Sequence, residues 1–144
     1  MRTKEFIEKL ESERIVNAIT AAELKTSGEI RVYVQHGEVD DPVPAAQARF
    51  AALGMTATRQ RNGVLIFVAP RAQKFAVIGD EGIHQRCGDG FWQALVKAMQ
   101  ASFRGANFTD AVVHAIERIG ELLAEQFPRL PGDIDELPNA VEEG

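Results

Sequence analysis

Cysteine and long hydrophobic runs are nearly absent from this sequence. Cys87 is the only cysteine among 144 residues, which excludes an intrachain disulfide. The first ten residues alternate charged with apolar side chains, so they resemble neither a secretory signal nor a membrane-spanning segment. From these absences we predict a cytoplasmic protein that does not insert into a membrane.

Acidic residues outnumber basic ones. The chain has 16 Lys and Arg residues against 21 Asp and Glu residues, which gives a formal net charge of −5. Nucleic-acid binding without sequence preference needs clustered basic residues to neutralise phosphates, and so we expect no nucleic-acid partner. An acidic surface is better suited to cations or to basic patches on other proteins.

The length and composition indicate one domain. A chain of 144 residues with 45% hydrophobic and 26% charged residues is typical of a single globular domain. We place that domain at residues 1–128. Residues 131–144 contain five acids and no base, and the segment 129–144 is therefore predicted to be an acidic, flexible C-terminal tail.

The common catalytic signatures are missing as well. The sequence has no P-loop, HExxH, CxxC or G-x-S-x-G motif. Its histidines, His36, His84 and His114, fall after a predicted strand, in a predicted loop and within a predicted helix, so they do not indicate a shared metal site. The catalytic residues are therefore left unknown, and Cys87 is interpreted as a structural thiol.

What the sequence does contain is an alternation of helical and strand-like patterns. The predicted elements are a helix over 3–25, a strand over 29–34, a helix over 45–53, strands over 64–69 and 74–79, a helix after Gly90 and a last helix that ends at Phe127. Gly28 is assigned as a left-handed C-cap after the first helix. The order αβαββαα predicts an α/β fold, a three-layer α/β/α sandwich with a small mixed β-sheet.

The second and third strands form a predicted hairpin with a polar open end. Its strands are antiparallel, whereas a right-handed crossover through the second helix makes the first two strands parallel. The starts of the first two strands and the end of the third therefore lie at one edge of the sheet. Four side chains with oxygen atoms gather there: Glu29, Asn62, Asp80 and Glu81. Such oxygens are the ligands that Ca²⁺ and Mg²⁺ prefer, although the same residue types are also common in turns.

The hairpin and its surroundings also resemble a known family, the TPM domain family. The resemblance lies in the segments 27–32, 61–66 and 74–83, in the Phe91-Trp92 pair, and in the stretch from Phe103 to Phe108 before the last helix. It extends from about Glu13 to Phe127 and is greatest toward the short, soluble bacterial members.

The resemblance implies an α/β/α sandwich and a functionally heterogeneous family. Plant thylakoid members are associated with photosystem II repair and have been described as acid phosphatases. Animal membrane members act as receptor accessory proteins, and some bacterial members are reported to bind divalent cations. Many members carry a signal peptide and a membrane anchor, which this sequence does not show. Carried over residue by residue, the family's loop cluster falls on Asn62, Asp80 and Glu81, to which the sheet geometry adds Glu29.

Two functions are compatible with these observations. We expect a TPM-like domain that binds Ca²⁺ or Mg²⁺ at Glu29, Asn62, Asp80 and Glu81 and engages a protein partner. The alternative is a metal-dependent acid phosphatase of weak activity, in which the cation polarises a phosphoryl oxygen and Arg61 steadies the phosphate. The lack of a recognisable nucleophile–base pair favours the binding module. The oligomeric state is left open.

Overall fold

The computed structural model describes residues 12–35, 37–58, 60–69, 74–104, 108–129 and 141–143. The helices in these ranges are α1 (Ser12–Glu23), α2 (Pro42–Ala52), α3 (Glu81–Arg104) and α4 (Phe108–Gln126). The strands are β1 (Glu29–Val34), β2 (Gly63–Ala69), β3 (Lys74–Gly79) and β4 (Val141–Glu143). A single turn of 3₁₀ helix, Met55–Ala57, lies between α2 and β2.

The described strands form one mixed sheet in the order β3-β2-β1-β4. β1 is parallel to β2, with Glu29 opposite Gly63, and β2 is antiparallel to β3, with Val64 opposite Gly79. The predicted parallel pairing of the first two strands and the predicted antiparallel pairing of the hairpin strands are therefore both confirmed. The residues that connect the hairpin strands, 70–73, lie outside the described part of the chain.

The two faces of the sheet carry separate hydrophobic cores, because successive side chains of a strand point to opposite faces. Val32 and Ile66 face one way and pack with residues of α1, α3 and α4, among them Ile15, Ile19, Leu95, Met99, Ile116 and Leu123. Tyr33 and Phe67 face the other way and pack with Ala46 and Phe50 of α2 and with Met55. Helices cover both faces, and the predicted α/β/α sandwich is confirmed.

The start of α2 differs from the prediction by three residues. The carboxylate of Asp41 accepts a hydrogen bond from the Val43 backbone N–H at 3.0 Å, and Pro42 occupies the first helical turn. An acidic N-cap followed by proline is a strong helix start. The helix therefore begins at Pro42 rather than Ala45.

The predicted helix after Gly90 corresponds to the second segment of α3, and the prediction missed a first segment that precedes Gly88. The helix begins at Glu81 and is interrupted at Gly88, where φ is 69° and ψ is −179°. His84, predicted in a loop, therefore lies on the first helical segment. The several glycines of this region weaken the helical pattern in the sequence, but Asp80 starts the helix nonetheless.

The predicted role of Gly28 is also wrong. α1 ends at Glu23, and Gly28 does not have a left-handed backbone. The space at Gly28 is tight, since a Cβ here would lie 3.0 Å from Leu123 Cδ1 and 3.3 Å from the Asn62 carbonyl oxygen. A side chain at this position would require α4 and the start of β2 to shift by a few tenths of an ångström.

The C-terminal segment, predicted to be a flexible tail, is described at residues 129 and 141–143. Arg129 N donates to Lys25 O at 3.4 Å, and Val141–Glu143 pair with Val32–Val34 of β1 in parallel. The open edge of β1 supplies the backbone partners for this short strand. Residues 130–140 lie outside the described ranges, so the prediction of flexibility there stays a prediction. Among the described helices, none has the length and apolarity required to cross a bilayer.

Candidate functional site

Three chain segments meet at the sheet edge where β1 and β2 begin and β3 ends. Glu29 N donates to Asn62 O at 3.4 Å, Asp80 N to Gly63 O at 3.0 Å, and Gly82 N to Arg61 O at 2.9 Å. The structure thus joins segments 27–29, 61–63 and 80–82 as the topology predicts. We call these nine residues the Asn62 edge.

An ion pair dominates the Asn62 edge. Arg61 Nε lies 2.7 Å from Asp80 Oδ2 and Arg61 Nη2 lies 2.8 Å from Asp80 Oδ1, which is a two-point contact. Arg61 Nη1 also lies 3.4 Å from Glu81 Oε1. The hydrogen bonds that Arg61 donates to Asp80, assisted by the negative charge of Asp80 and Glu81, raise the pKa of Arg61 above its ordinary value. The guanidinium therefore stays charged and keeps its place between the acids.

Asp80 also has a structural role at the start of α3. Its Oδ1 accepts from Glu81 N at 2.8 Å, and its backbone oxygen accepts from Ile83 N at 3.0 Å. The Asp80 side chain is only 5% exposed, whereas those of Arg61 and Glu81 are 39% and 61% exposed. The buried acid thus links the open end of the hairpin to the helix, and the exposed groups face solvent around it.

Asn62 is the most deeply buried polar residue of the edge. Its backbone N–H donates to Thr58 Oγ1 at 3.1 Å, and its Nδ2 donates to Ser27 Oγ at 3.2 Å. Its Oδ1 is buried and has no hydrogen-bond partner among the described residues. A buried acceptor left in this state destabilises a fold by about 1–3 kcal/mol. This oxygen is therefore available to a ligand that brings a positive charge or a donor.

Glu29 is buried, but its side chain lies on the opposite face of the sheet from that of Asn62. Alternation along β1 puts Glu29 on the same face as Tyr33, whereas alternation along β2 puts Asn62 on the face of Val64. Among the described residues, no group of three or more His, Cys, Asp or Glu side chains is placed to hold a metal ion. A cation at this edge would therefore need amide or backbone oxygens in addition to carboxylates.

Two contacts around the Asn62 edge, those of Thr58 and Gly82, could not be predicted from the sequence. Thr58 is buried and its hydroxyl receives the Asn62 N–H, yet a single threonine in a polar loop gives no signal of this. Gly82 is in contact with the preceding loop, because a Cβ there would lie 2.1 Å from the Gln60 carbonyl oxygen. Arg61, which the sequence does indicate as a candidate phosphate contact, has a left-handed backbone conformation with φ at 51°.

Of the three histidines the structure describes His84 and His114, and the backbone N–H of His84 donates to Asp80 O at 3.4 Å. The exposed ring of His84 is 5.2 Å from the ring of Trp92, centre to centre, and His114 is exposed on α4. His36 and the side chain of Cys87 lie outside the described part of the structure.

Comparison with known proteins places the chain in a family. A family model described as the TPM domain matches residues 2–122. The NMR structure of the BA42 protein from the psychrophilic bacterium Bizionia argentinensis is 42% identical, with a TM-score of 0.87 over 93% of this chain and 92% of that one. The solution NMR structure of the N-terminal domain of cg2496 from Corynebacterium glutamicum is 15% identical, with a TM-score of 0.54 over 97% of this chain and 79% of that one, and so shares the fold alone. No curated protein matches the sequence. The chain belongs to the TPM domain family.

Proposed function

We propose that this TPM domain is a divalent-cation-binding module. In this proposal Ca²⁺ or Mg²⁺ binds at the Asn62 edge, and the bound ion orders the surrounding loops for contact with a protein partner. The observation that carries the proposal is the buried Asn62 Oδ1, which has no hydrogen-bond partner among the described residues. A native fold retains such an atom at a cost, and ligand binding is one reason for keeping it.

The chemistry of the neighbouring groups supports a hard cation. Asp80 and Glu81 follow one another at the end of β3 and supply carboxylate oxygens, and Asn62 supplies an amide oxygen. Ca²⁺ takes six to eight such oxygens in flexible geometry, and Mg²⁺ keeps several waters in its shell. We assign Asn62, Asp80 and Glu81 as the principal ligands, with Glu29 as a buried carboxylate on the adjoining strand.

Arg61 competes with a bound cation for the carboxylate of Asp80. Both oxygens of Asp80 already accept hydrogen bonds from Arg61, so a cation that binds Asp80 has to displace the guanidinium. Because the Arg61 side chain is 39% exposed, it can swing into solvent without opening the core. The resident positive charge therefore sets a threshold for cation binding at this edge.

The test is an NMR titration of the ¹⁵N-labelled chain with Ca²⁺ and with Mg²⁺. We expect saturable amide shifts confined to residues 28–29, 61–63 and 80–82. Glu81→Gln should weaken the binding, whereas Glu121→Gln should not. Glu121 is the matched control because it too is an exposed glutamate paired with an arginine, 3.1 Å from Arg118 on α4.

The outcome that overturns the proposal is an absence of saturable shifts at several millimolar metal, which exceeds the dissociation constant of about 10⁻³ M of weak calcium modules. Equal weakening by Glu81→Gln and Glu121→Gln would also overturn it, because both shifts would then report only on surface charge.

A metal-dependent phosphatase is the second candidate. The observation that favours it is the exposed part of the Arg61 guanidinium, which would be free to pair with a phosphate once a cation takes Asp80. The test is hydrolysis of p-nitrophenyl phosphate at acidic pH with and without Mg²⁺. A rate that depends on metal and is lost in Arg61→Gln supports the phosphatase, and a rate equal to that of the buffer excludes it for this substrate.

A further inference from the structure

The outer edge of β1, on the side away from β2, is only partly covered. β4 pairs with Val32, Tyr33 and Val34, and the remaining three residues of β1 extend beyond this register. An open strand edge presents unpaired backbone groups and is a template for another strand. The way in which this chain closes the edge shows what the edge can accept.

A buried glutamate closes the first part of the edge. Glu29 N donates to Asn62 O, just before β2, and Gln35 N donates to Val68 O of β2, so the N–H groups of the even-numbered residues of β1 face outward. Of these, Ile30 N donates to Glu23 Oε2 at 2.8 Å. The carboxylate of Glu23 stands where the carbonyl of a neighbouring strand would be. It therefore fixes the point, Val32, from which an added strand can begin.

The second part of the edge is closed by β4. Val141 is opposite Val32 and Glu143 is opposite Val34, in parallel orientation. In a parallel ladder, a residue of one strand bonds through its N–H and its C=O to the two residues that flank its register partner on the other strand. Here that residue is Glu142, and its register partner is Tyr33. Glu142 therefore donates its N–H to Val32 O and accepts the Val34 N–H. A strand of three residues is at the lower limit of strand length.

The rest of the fold brings the C-terminal segment to this edge. Ser27 N donates to Phe127 O at 2.9 Å, and Arg129 Nη1 donates to Glu23 O at 2.8 Å. The chain thus leaves α4 beside the start of β1. A tethered segment of this kind binds with an effective concentration of about millimolar for a short linker.

We propose that the outer edge of β1 at Val32–Val34 binds an extended acidic peptide of a partner protein as an added parallel strand, and that β4 occupies this site within the chain. We infer an acidic peptide because β4, which occupies the site in this chain, has the sequence Val-Glu-Glu, and because Arg49 lies nearby. The Arg49 guanidinium lies 4.5 Å from the ring centroid of Tyr33, which is the register partner of Glu142. A partner residue at that position that faces α2 meets a positive charge.

This site lies along the outer side of β1 at Val32–Val34, whereas the proposed cation ligands lie at the ends of the strands. Its test therefore succeeds or fails independently of the cation. The probe is a fluorescent peptide with the sequence of residues 138–144. The variants, all made in the full chain, are Glu142→Pro, which removes the N–H bonded to Val32, and Glu143→Pro, which removes an N–H that faces outward. Both variants lose one carboxylate, so Glu143→Pro is a matched control.

We expect Glu142→Pro to bind the peptide about tenfold more tightly than the wild type or Glu143→Pro, because the internal competitor has been weakened. The amides of Val32 and Val34 should exchange faster in Glu142→Pro and regain protection when the peptide binds. In the wild type, the outward Val32 and Val34 amides should exchange faster than those of Arg31 and Tyr33, which face β2. This comparison needs no variant.

Several results would overturn the proposal. Equal peptide affinity for the two proline variants would remove β4 as the competitor. Equal affinity for a peptide that carries Glu142→Lys and Glu143→Lys would remove the acidic preference. A concentration-dependent dimer in the wild type that is absent in Glu142→Pro would assign the edge to exchange of β4 between two copies of this chain. Equal amide exchange at Val32 and Tyr33 in the wild type would show that the edge does not open.

Discussion

The guanidinium of Arg61 meets the carboxylate of Asp80 through two parallel hydrogen bonds of 2.7 and 2.8 Å. Arg61 precedes β2, and Asp80 follows β3 and begins α3. The pair therefore closes the open end of the hairpin and fixes the helix that follows. It also puts a protein cation on the carboxylate that we assign to a metal. The ion pair with Arg61 and the proposed binding of a metal ion thus compete for the Asp80 carboxylate.

Replacing Arg61 tests this competition directly. Arg61→Gln removes the positive charge but keeps a polar side chain, and we expect Ca²⁺ to bind about tenfold more tightly, because the charge of the ligand set tunes calcium affinity over orders of magnitude. Isothermal titration calorimetry measures the change. Arg118→Gln is the control, since Arg118 pairs with an exposed glutamate elsewhere. Unchanged or weaker binding in Arg61→Gln would show that the guanidinium does not compete with the metal.

Gly82 is predicted to be intolerant of any side chain although it lies in a helix. A Cβ at Gly82 would lie 2.1 Å from Gln60 O and 2.6 Å from Arg61 O, which are both backbone atoms. We expect Gly82→Ala to lower the free energy of unfolding by about 1–3 kcal/mol, as overpacking does. Urea unfolding followed by circular dichroism measures it.

Gly90 is the matched control for this change. It lies in the second segment of α3, after the break at Gly88, has no positive φ, and a Cβ there would meet nothing within 4 Å. Gly90→Ala should therefore stabilise the chain by about 0.5–1 kcal/mol, as alanine does in a helix. If the two alanine variants shift the urea midpoint in the same direction, the contact between Gly82 and the loop before β2 is not a constraint in solution.

Much of the Asn62 edge could be predicted because it depends on topology. Once the β1–β2 crossover and the β2–β3 hairpin are recognised, the ends of the strands have to meet, and Asn62 and Asp80 are placed correctly by that rule alone. The face of the sheet on which each side chain lies was harder to predict from the sequence. It depends on the register within each strand, and a shift of one residue moves a side chain to the opposite face.

The features that could not be predicted depend on contacts distant in the sequence. Glu23 has the pattern of an ordinary helical glutamate, and only its position beside Ile30 makes it a cap for a strand edge. β4 has one β-branched residue and two acids, which is a poor strand sequence by intrinsic preference. It forms because β1 offers an edge, and that edge is visible only in the assembled sheet.

The hydrogen bond from the Ile30 N–H to the Glu23 carboxylate, at the outer edge of β1, gives a third prediction. Glu23 is 2% exposed and accepts the Ile30 N–H at 2.8 Å. Glu23→Ala should lower the free energy of unfolding by about 1–3 kcal/mol, because the N–H is left buried without its acceptor. Glu23→Gln keeps an acceptor oxygen at the same reach, so its effect should be clearly smaller. A loss that is equal in the two variants would show that the negative charge, rather than the hydrogen bond to Ile30, is what stabilises this edge.

The last prediction uses the buried amide of Asn62 as a reporter of metal. Asn62→Asp replaces the amide that donates to Ser27 by a carboxylate, and the Ser27 hydroxyl can then donate in turn. In EDTA the variant should be less stable than the wild type, because a buried carboxylate whose charge no cation compensates is destabilising by several kcal/mol, which one hydroxyl hydrogen bond does not offset.

Calcium should reverse this loss. A cation bound at 100 times its dissociation constant stabilises the fold by about 2.7 kcal/mol, which for a chain of this size raises Tm by roughly 5–10 °C. We expect the Ca²⁺-induced rise in Tm to be larger for Asn62→Asp than for the wild type, since a carboxylate binds calcium better than an amide. Asn17→Asp on the exposed side of α1 is the control and should not change the response. An equal rise in Tm for all three chains would separate Asn62 from any metal site, and its buried oxygen would then have to be explained by packing alone.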